Sequence, residues 1–93
     1  MQIVRTQEYQ KELLTILKYI AKDKITASRK FNKDLNTEIS KIPEFPYKYN
    51  SSLYFDDENI RDMTFKTYTV IYEIDLYKNT ILILSMFNQN KPA

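Results

Sequence analysis

The chain has 93 residues, of which 43% are hydrophobic and 28% charged, values ordinary for one globular domain. It contains no cysteine and no histidine, which excludes disulfides, thiolate chemistry, zinc fingers and histidine-dependent acid–base catalysis. It also lacks glycine, which argues against the phosphate-binding loops of nucleotide-cofactor enzymes, so no cofactor is expected.

Neither a membrane span nor a secretory signal is visible in the sequence. No apolar run approaches the roughly 20 residues of a spanning helix, so we expect one cytoplasmic domain over residues 1–93. The formal net charge is +2, with nine Lys/Arg against six Asp/Glu in residues 1–46 and five against six in residues 47–93. This mild basic bias is weak for a nucleic-acid-binding protein, which usually concentrates its cations on one face.

The N-terminal half predicts a short strand followed by a helical hairpin. An apolar pair, Ile3-Val4, precedes Thr6, whose hydroxyl can cap a helix. Two apolar stripes at helical spacing follow, the first over residues 7–22 and the second ending at Pro43. The stripes consist of Tyr9, Leu13, Ile16, Leu17 and Ile20, and of Ala27, Phe31, Leu35, Ile39 and Ile42. Because the break between them is short, the helices should be antiparallel.

The C-terminal half predicts three antiparallel strands after an extended connection at residues 43–52. The first strand, residues 60–65, would bury Met63 and Phe65 on one face. In the second, Tyr68, Val70, Tyr72 and Ile74 alternate with Thr69, Ile71, Glu73 and Asp75. Asn79 is the residue best able to take a positive φ in the next turn, and the third strand, Ile81 to Phe87, is apolar on both faces. The sequence therefore predicts an α+β domain, a helical hairpin packed on a small, mainly antiparallel sheet.

Few residues are candidates for chemistry. The acidic run Asp56-Asp57-Glu58 matches no calcium-loop spacing, so no metal site is predicted. The eight tyrosines and five phenylalanines could stack on RNA bases, but those on the apolar faces are better explained as core. Arg61 lies among strand residues, where it could bind an anion or partner carboxylate, or form an ion pair with Asp62, Glu73 or Asp75.

The segment "RDMTFKTYTVIYEID", followed by a turn and by "TILILSMFNQNKPA", resembles the RelE/ParE superfamily of toxins from bacterial type II toxin–antitoxin systems. The resemblance covers nearly the whole chain: a helical hairpin, an arginine strand, a Tyr-x-Val-Ile-Tyr strand and an apolar strand with a polar tail. It implies a fold close to the microbial RNase scaffold. It also implies a cognate antitoxin that wraps around the toxin as its partner.

The superfamily contains ribosome-dependent mRNA cleavers and ParE-type toxins that block DNA gyrase. At positions where cleavers tend to carry cations, this chain has Ile60, Asp62, Thr69 and Gln89. The amides and lysine of its tail do not titrate near neutral pH, so the tail is suited to binding rather than to proton transfer. The resemblance is therefore closer to the ParE type, with no catalytic residue assigned. The residues expected to bind the target are Arg61, Asn88, Gln89, Asn90 and Lys91.

Other interpretations stay open at this point. The chain could be a ribosome-dependent mRNA endoribonuclease in which Lys48, Arg61 and Lys66 bind phosphate and Tyr49 accepts the proton. It could be an interaction module on the same fold that has lost toxicity. The tail could also be no more than a solvated terminus.

Overall fold

The computed structural model describes residues 1–89. Its elements are β1 (Gln2–Arg5), α1 (Gln7–Asp23), α2 (Ile25–Ser40), a 3-10 turn (Ile42–Glu44), β2 (Asn50–Ser51), β3 (Ile60–Phe65), β4 (Tyr68–Asp75) and β5 (Thr80–Asn88). The strands form one sheet in the order β1-β5-β4-β3-β2, in which β1 runs parallel to β5 and the other pairs are antiparallel. The predicted α+β architecture is confirmed.

The helical hairpin forms where the apolar stripes predict it. The hydroxyl of Thr6 caps α1 by accepting a hydrogen bond of 3.1 Å from the backbone N–H of Tyr9. Lys24 alone separates the helices, and the Ser28 hydroxyl donates to the Leu17 carbonyl (2.8 Å), which ties α2 to α1. No helix within residues 1–89 combines the length and apolarity required to cross a bilayer.

The core lies between this hairpin and one face of the sheet. Tyr9, Leu35 and Ile39 of the helices are fully buried, as are Met63, Val70, Tyr72, Ile81 and Ile83 of the strands. Phe31 of α2 packs edge-on against Phe65 of β3, with ring centres 5.2 Å apart. The predicted stripes are therefore the core-facing sides of both helices, except at the start of the second stripe, where the predicted Ala27 is exposed and its neighbour Ser28 is buried instead.

Two features of the strand region differ from the sequence-based expectation. The connection at residues 43–52 is not simply extended, because it contains the 3-10 turn and the two-residue strand β2. Strand β4 is buried on both faces, since Thr69 and Ile71 are buried as well as Val70 and Tyr72. β4 is the central strand of the five. Its face away from the helices is covered by the residues after β2, among which Tyr54 packs edge-on against Phe87 of β5.

Residues other than glycine occupy both positive-φ positions within residues 1–89. Asn79 has φ 53° in the β4–β5 turn, as predicted. Lys66 has φ 55° in the β3–β4 turn, which the sequence did not indicate. A lysine in this conformation costs about 1–2 kcal/mol, so the antiparallel pairing of β3 with β4 must offset that cost.

A β-bulge in β5 is tied to the start of α1. Ile71 opposes Ser85 whereas Tyr72 opposes Ile83, which leaves Leu84 without an opposite residue on β4. The Thr6 hydroxyl shares its hydrogen between the carbonyls of Ile83 (2.8 Å) and Leu84 (3.1 Å). One side chain therefore fixes the helix start, the end of β1 and the bulge.

Two fully buried tyrosines differ in how their hydroxyls are bonded. Tyr72 donates to the carbonyl of Pro46 at 2.6 Å, whereas no group within residues 1–89 pairs with the Tyr9 hydroxyl. Burial raises the pKa of Tyr9 to about 12, against the lowering effect of Arg5. Burial likewise raises the pKa of Tyr72, although the nearby Arg61 lowers it.

Replacing each tyrosine by phenylalanine should have opposite effects. Tyr9→Phe removes an unsatisfied buried hydroxyl and should leave the free energy of unfolding unchanged or raise it by up to about 1 kcal/mol. Tyr72→Phe removes a bonded hydroxyl and leaves the Pro46 carbonyl without it, so it should lower that free energy by about 1 kcal/mol. Urea unfolding measures both changes, and equal losses in the two variants would contradict the assignment.

Stability should fall in alkaline solution because the buried tyrosines resist ionisation. Tyrosine in the unfolded chain ionises near 10.0, while the folded pKa of Tyr9 is about 12. The folded state keeps this proton longer, so its contribution is complete below pH 10 and is lost as the pH rises towards 12. Tyr9→Phe should reduce the slope of unfolding free energy against pH by about 1.4 kcal/mol per pH unit in this window. Parallel slopes for the variant and the parent would refute this.

Candidate functional site

Arg61 is half-buried and is held by the connection that precedes its strand. Its Nε donates to the carbonyl of Glu58 at 2.8 Å, and its Nη1 donates to the carbonyl of Tyr49 at 3.0 Å. The guanidinium carbon lies 4.9 Å from the ring centre of Tyr47. Hydrogen bonds from a charged donor are among the stronger ones, so Arg61 fastens residues 47–58 to β3.

The ion pair considered for Arg61 does not form with any carboxylate in residues 1–89. The ion pairs found there join Lys30 to Asp34 and Lys41 to Glu38, both within α2 or at its end. Arg61 instead bonds backbone carbonyls, which cannot be identified from residue types. The fold of the backbone, and not the positions of carboxylates, determines which groups Arg61 bonds.

Tyr49, a residue of the alternative catalytic set, contacts Arg61 through its backbone carbonyl, and Lys48 contacts the ring of Tyr49. The Lys48 Nζ is 5.6 Å from the centre of the Tyr49 ring, which packs edge-on against Tyr72 at 6.4 Å. Lys66 is elsewhere, in the β3–β4 turn with its Nζ 5.9 Å from the Phe65 ring. Five residues of strand separate it from Arg61, a distance of about 16 Å. Of the four residues in the alternative catalytic set, Lys48 and Arg61 therefore each contact Tyr49, whereas Lys66 lies apart from it.

The tail begins at the opposite end of the sheet from Arg61. The backbone N–H of Gln89 donates to the carbonyl of Thr67 (2.8 Å), and its side-chain Nε2 donates to the Thr69 hydroxyl (2.6 Å). Asn88 ends β5 opposite Tyr68, four residues along β4 from the partner of Arg61, or about 13 Å. The remaining tail residues expected to bind the target, Asn90 and Lys91, lie outside the described residues.

A small cavity of about 160 Å³ lies on the sheet face opposite the helices. Asp62, Thr64 and Thr69 line it from the strands, and Gln89 lines it from the start of the tail. The Asp62 Oδ2 accepts from the backbone N–H of Leu53 (3.0 Å), while its buried Oδ1 has no partner in the described part of the chain. This face therefore presents a carboxylate and hydroxyls, and the alternation of Asp62 and Thr64 with buried residues is the sequence signal that could have located it.

Charge is divided between the two layers of the fold. Residues 7–41, which form the helical hairpin, carry eight Lys/Arg against five Asp/Glu. Residues 42–89, which form most of the sheet, carry four Lys/Arg against seven Asp/Glu. In neither layer, within the portion described, do three acidic side chains come together as a metal site would require.

Comparison with known proteins gives the family of the chain. Residues 3–91 match the family model described as "ParE toxin of type II toxin-antitoxin system, parDE". No curated protein sequence matches. A solved chain from the "Chromosomal ParDE TA system from P. aeruginosa" is similar with a TM-score of 0.75 at 13% identity, over 95% of both chains, and this likeness supports the fold. Because the family match spans nearly the whole sequence, this chain belongs to the ParE toxin family of type II toxin–antitoxin systems, within the RelE/ParE superfamily.

Proposed function

We propose that this ParE-family chain inhibits growth in the cytoplasm by binding DNA gyrase, and that a cognate antitoxin neutralises it. Family membership supports a toxin with an antitoxin partner. One observation carries the choice of binding over cleavage: the Nε and Nη1 of Arg61 are already bonded to backbone carbonyls of the same chain.

RNA cleavage would need groups that this sheet does not bring together. Attack by a ribose 2′-hydroxyl requires a proton acceptor and cations placed around the charged phosphorane. Tyr49 is packed between Lys48 and Tyr72, and Lys66 lies about 16 Å along the strand from Arg61. On the other face, Asp62 would repel a phosphate. This arrangement favours a toxin that acts by occupying its target.

The tail and the β3–β4 turn form the proposed target surface. Gln89 is bonded to Thr67 and Thr69, and Asn90 and Lys91 follow it in the sequence. Amide groups both donate and accept hydrogen bonds, which suits recognition of a protein surface. In this proposal Arg61 does not contact the target. It acts indirectly, because it holds the connection between α2 and β3 in place.

The alternative, a ribosome-dependent mRNA endoribonuclease, is favoured by one observation. Lys48 contacts the ring of Tyr49 and Arg61 bonds the backbone carbonyl of Tyr49, so one tyrosine residue contacts two cationic residues. The two candidates differ in product: gyrase binding leaves transcripts intact, whereas an endoribonuclease cuts them during translation.

Removing the tail side chains should separate the candidates. Asn90→Ala with Lys91→Ala should weaken inhibition of purified gyrase in a supercoiling assay by at least about tenfold, because a hydrogen-bonding and a charged contact are lost together. The same pair of residue types on α2 gives a matched control, and Asn32→Ala with Lys33→Ala should change inhibition by less than about twofold. Melting temperatures of all three proteins would exclude unfolding as the cause. Supercoiling unaffected by the parent chain, together with cleaved mRNA on translating ribosomes, would overturn the proposal in favour of the endoribonuclease.

Arg61→Ala should weaken the structure itself. Loss of two charge-assisted hydrogen bonds should lower the free energy of unfolding by about 2 kcal/mol and expose residues 47–58 to proteases. Arg61→Lys should recover little, because an ammonium group cannot reproduce the planar spacing of Nε and Nη1. A variant that keeps full stability yet loses toxicity would show instead that Arg61 contacts the target directly.

A further inference from the structure

The cavity of about 160 Å³ beside Gln89 is built by the register of three strands. Asp62 and Thr64 are two residues apart on β3, so both project from the same face of the sheet, about 7 Å apart. Thr69 of β4 lies directly opposite Thr64, and Asn50 of β2 lies directly opposite Asp62. Strand pairing therefore places a carboxylate, two hydroxyls and an amide around one space.

The carboxylate of Asp62 has one oxygen without a partner. Its Oδ2 accepts from the Leu53 N–H at 3.0 Å, whereas its Oδ1 is buried and makes no hydrogen bond within residues 1–89. The ion pairs of that range lie on α2 or at its end, so no Lys or Arg there pairs with Asp62. A buried carboxylate oxygen is costly unless a donor reaches it, so this position favours a cation from another molecule.

The other walls of the cavity suit a cation on a long apolar stem. The Thr69 hydroxyl is buried and accepts from the Gln89 Nε2 at 2.6 Å, and its second lone pair can accept from another donor. Thr64 supplies a second hydroxyl. Leu53 and Tyr54 form an apolar part of the wall, and their side chains are 88% and 55% exposed. A lysine side chain lays its methylene groups on such a surface while its charge reaches polar groups.

We propose that this cavity receives a lysine side chain of DNA gyrase, whose ammonium group bonds Asp62 and whose methylene groups lie along Leu53 and Tyr54. The inference rests on the proposed function and names one contact within it. Lysine is selected over arginine because a guanidinium binds best to a carboxylate with both oxygens available, and the Oδ2 of Asp62 is already bonded. Because Gln89 lines the cavity, the lysine site is continuous with the proposed target surface.

Two aspartates with the same local bonding provide the test. Asp62 accepts from the backbone N–H of Leu53 (3.0 Å), and Asp57, in the connection before β3, accepts from that of Asn59 (2.8 Å). Asp62→Asn and Asp57→Asn each remove one negative charge and leave an amide oxygen that can accept the same N–H. Asp62 lines the cavity and Asp57 does not.

Inhibition of purified gyrase in a supercoiling assay measures the effect. Asp62→Asn should raise the concentration needed for half-inhibition at least about tenfold, because a desolvated ion pair loses one of its charges. Asp57→Asn should change it by less than about twofold. Equal inhibition by the two variants would overturn the inference alone, whereas a parent chain that does not inhibit gyrase would overturn the proposed function as well.

A second variant separates loss of the contact from loss of the fold. Thr64→Met changes an exposed strand residue and leaves the bond between Asp62 and Leu53 in place, while its longer side chain fills the cavity. It should weaken inhibition at least about tenfold with the melting temperature of the parent chain. Full inhibition by Thr64→Met would show that nothing enters the cavity, and would contradict the proposal.

Chemical modification of lysines identifies the inserted side chain. Reductive methylation of gyrase saturated with the parent chain, read by mass spectrometry, should leave one lysine protected that reacts in gyrase saturated with Asp62→Asn. Absence of any such lysine would refute the proposal. Lys91 of this chain is the competing occupant. Its protection in the free parent chain, lost in Asp62→Asn, would assign the cavity to Lys91 and overturn the inference.

Discussion

The hydrogen bonds from the Arg61 side chain to two backbone carbonyls hold the connection between α2 and β3 against the sheet. The guanidinium holds the carbonyls of Glu58 and Tyr49 and lies on the Tyr47 ring. Within the same connection, the Tyr72 hydroxyl holds the carbonyl of Pro46. The connection, in a chain without glycine, is thereby ordered by hydrogen bonds from side chains to the backbone. Arg61, which could otherwise bind a phosphate, has a structural role instead.

Hydroxyl groups position two other parts of the molecule. Thr69 fixes Gln89, so the proposed target surface starts from a rigid strand end. The same threonine lines the cavity at Asp62, so the start of the tail and the proposed lysine site share one residue. Thr6 fixes the start of α1 to the β5 bulge, beside the end of β1.

The sequence predicts the parts of this fold that depend on local periodicity. The two helical stripes, the apolar third strand and the positive φ of Asn79 follow from spacing and residue type. Parallel pairing of β1 with β5, burial of Thr69 and Ile71, and the bonds of Arg61 depend on segments distant in sequence, which a single-chain pattern does not encode. The site is less predictable than the fold for the same reason. Residue types suggested Arg61 and the tail, but distances along the sheet separate Arg61 from Asn88, where the tail begins.

Nuclear magnetic resonance of arginine Nε–H groups measures directly whether the guanidinium of Arg61 is bonded to the backbone of its own chain. Arg29, exposed on α2, provides the internal reference. The account predicts that the Arg61 Nε–H exchanges with solvent at least about tenfold more slowly than that of Arg29, because its donor is bonded to the Glu58 carbonyl. Equal exchange rates would show a guanidinium available to a phosphate or a partner, and would contradict the account.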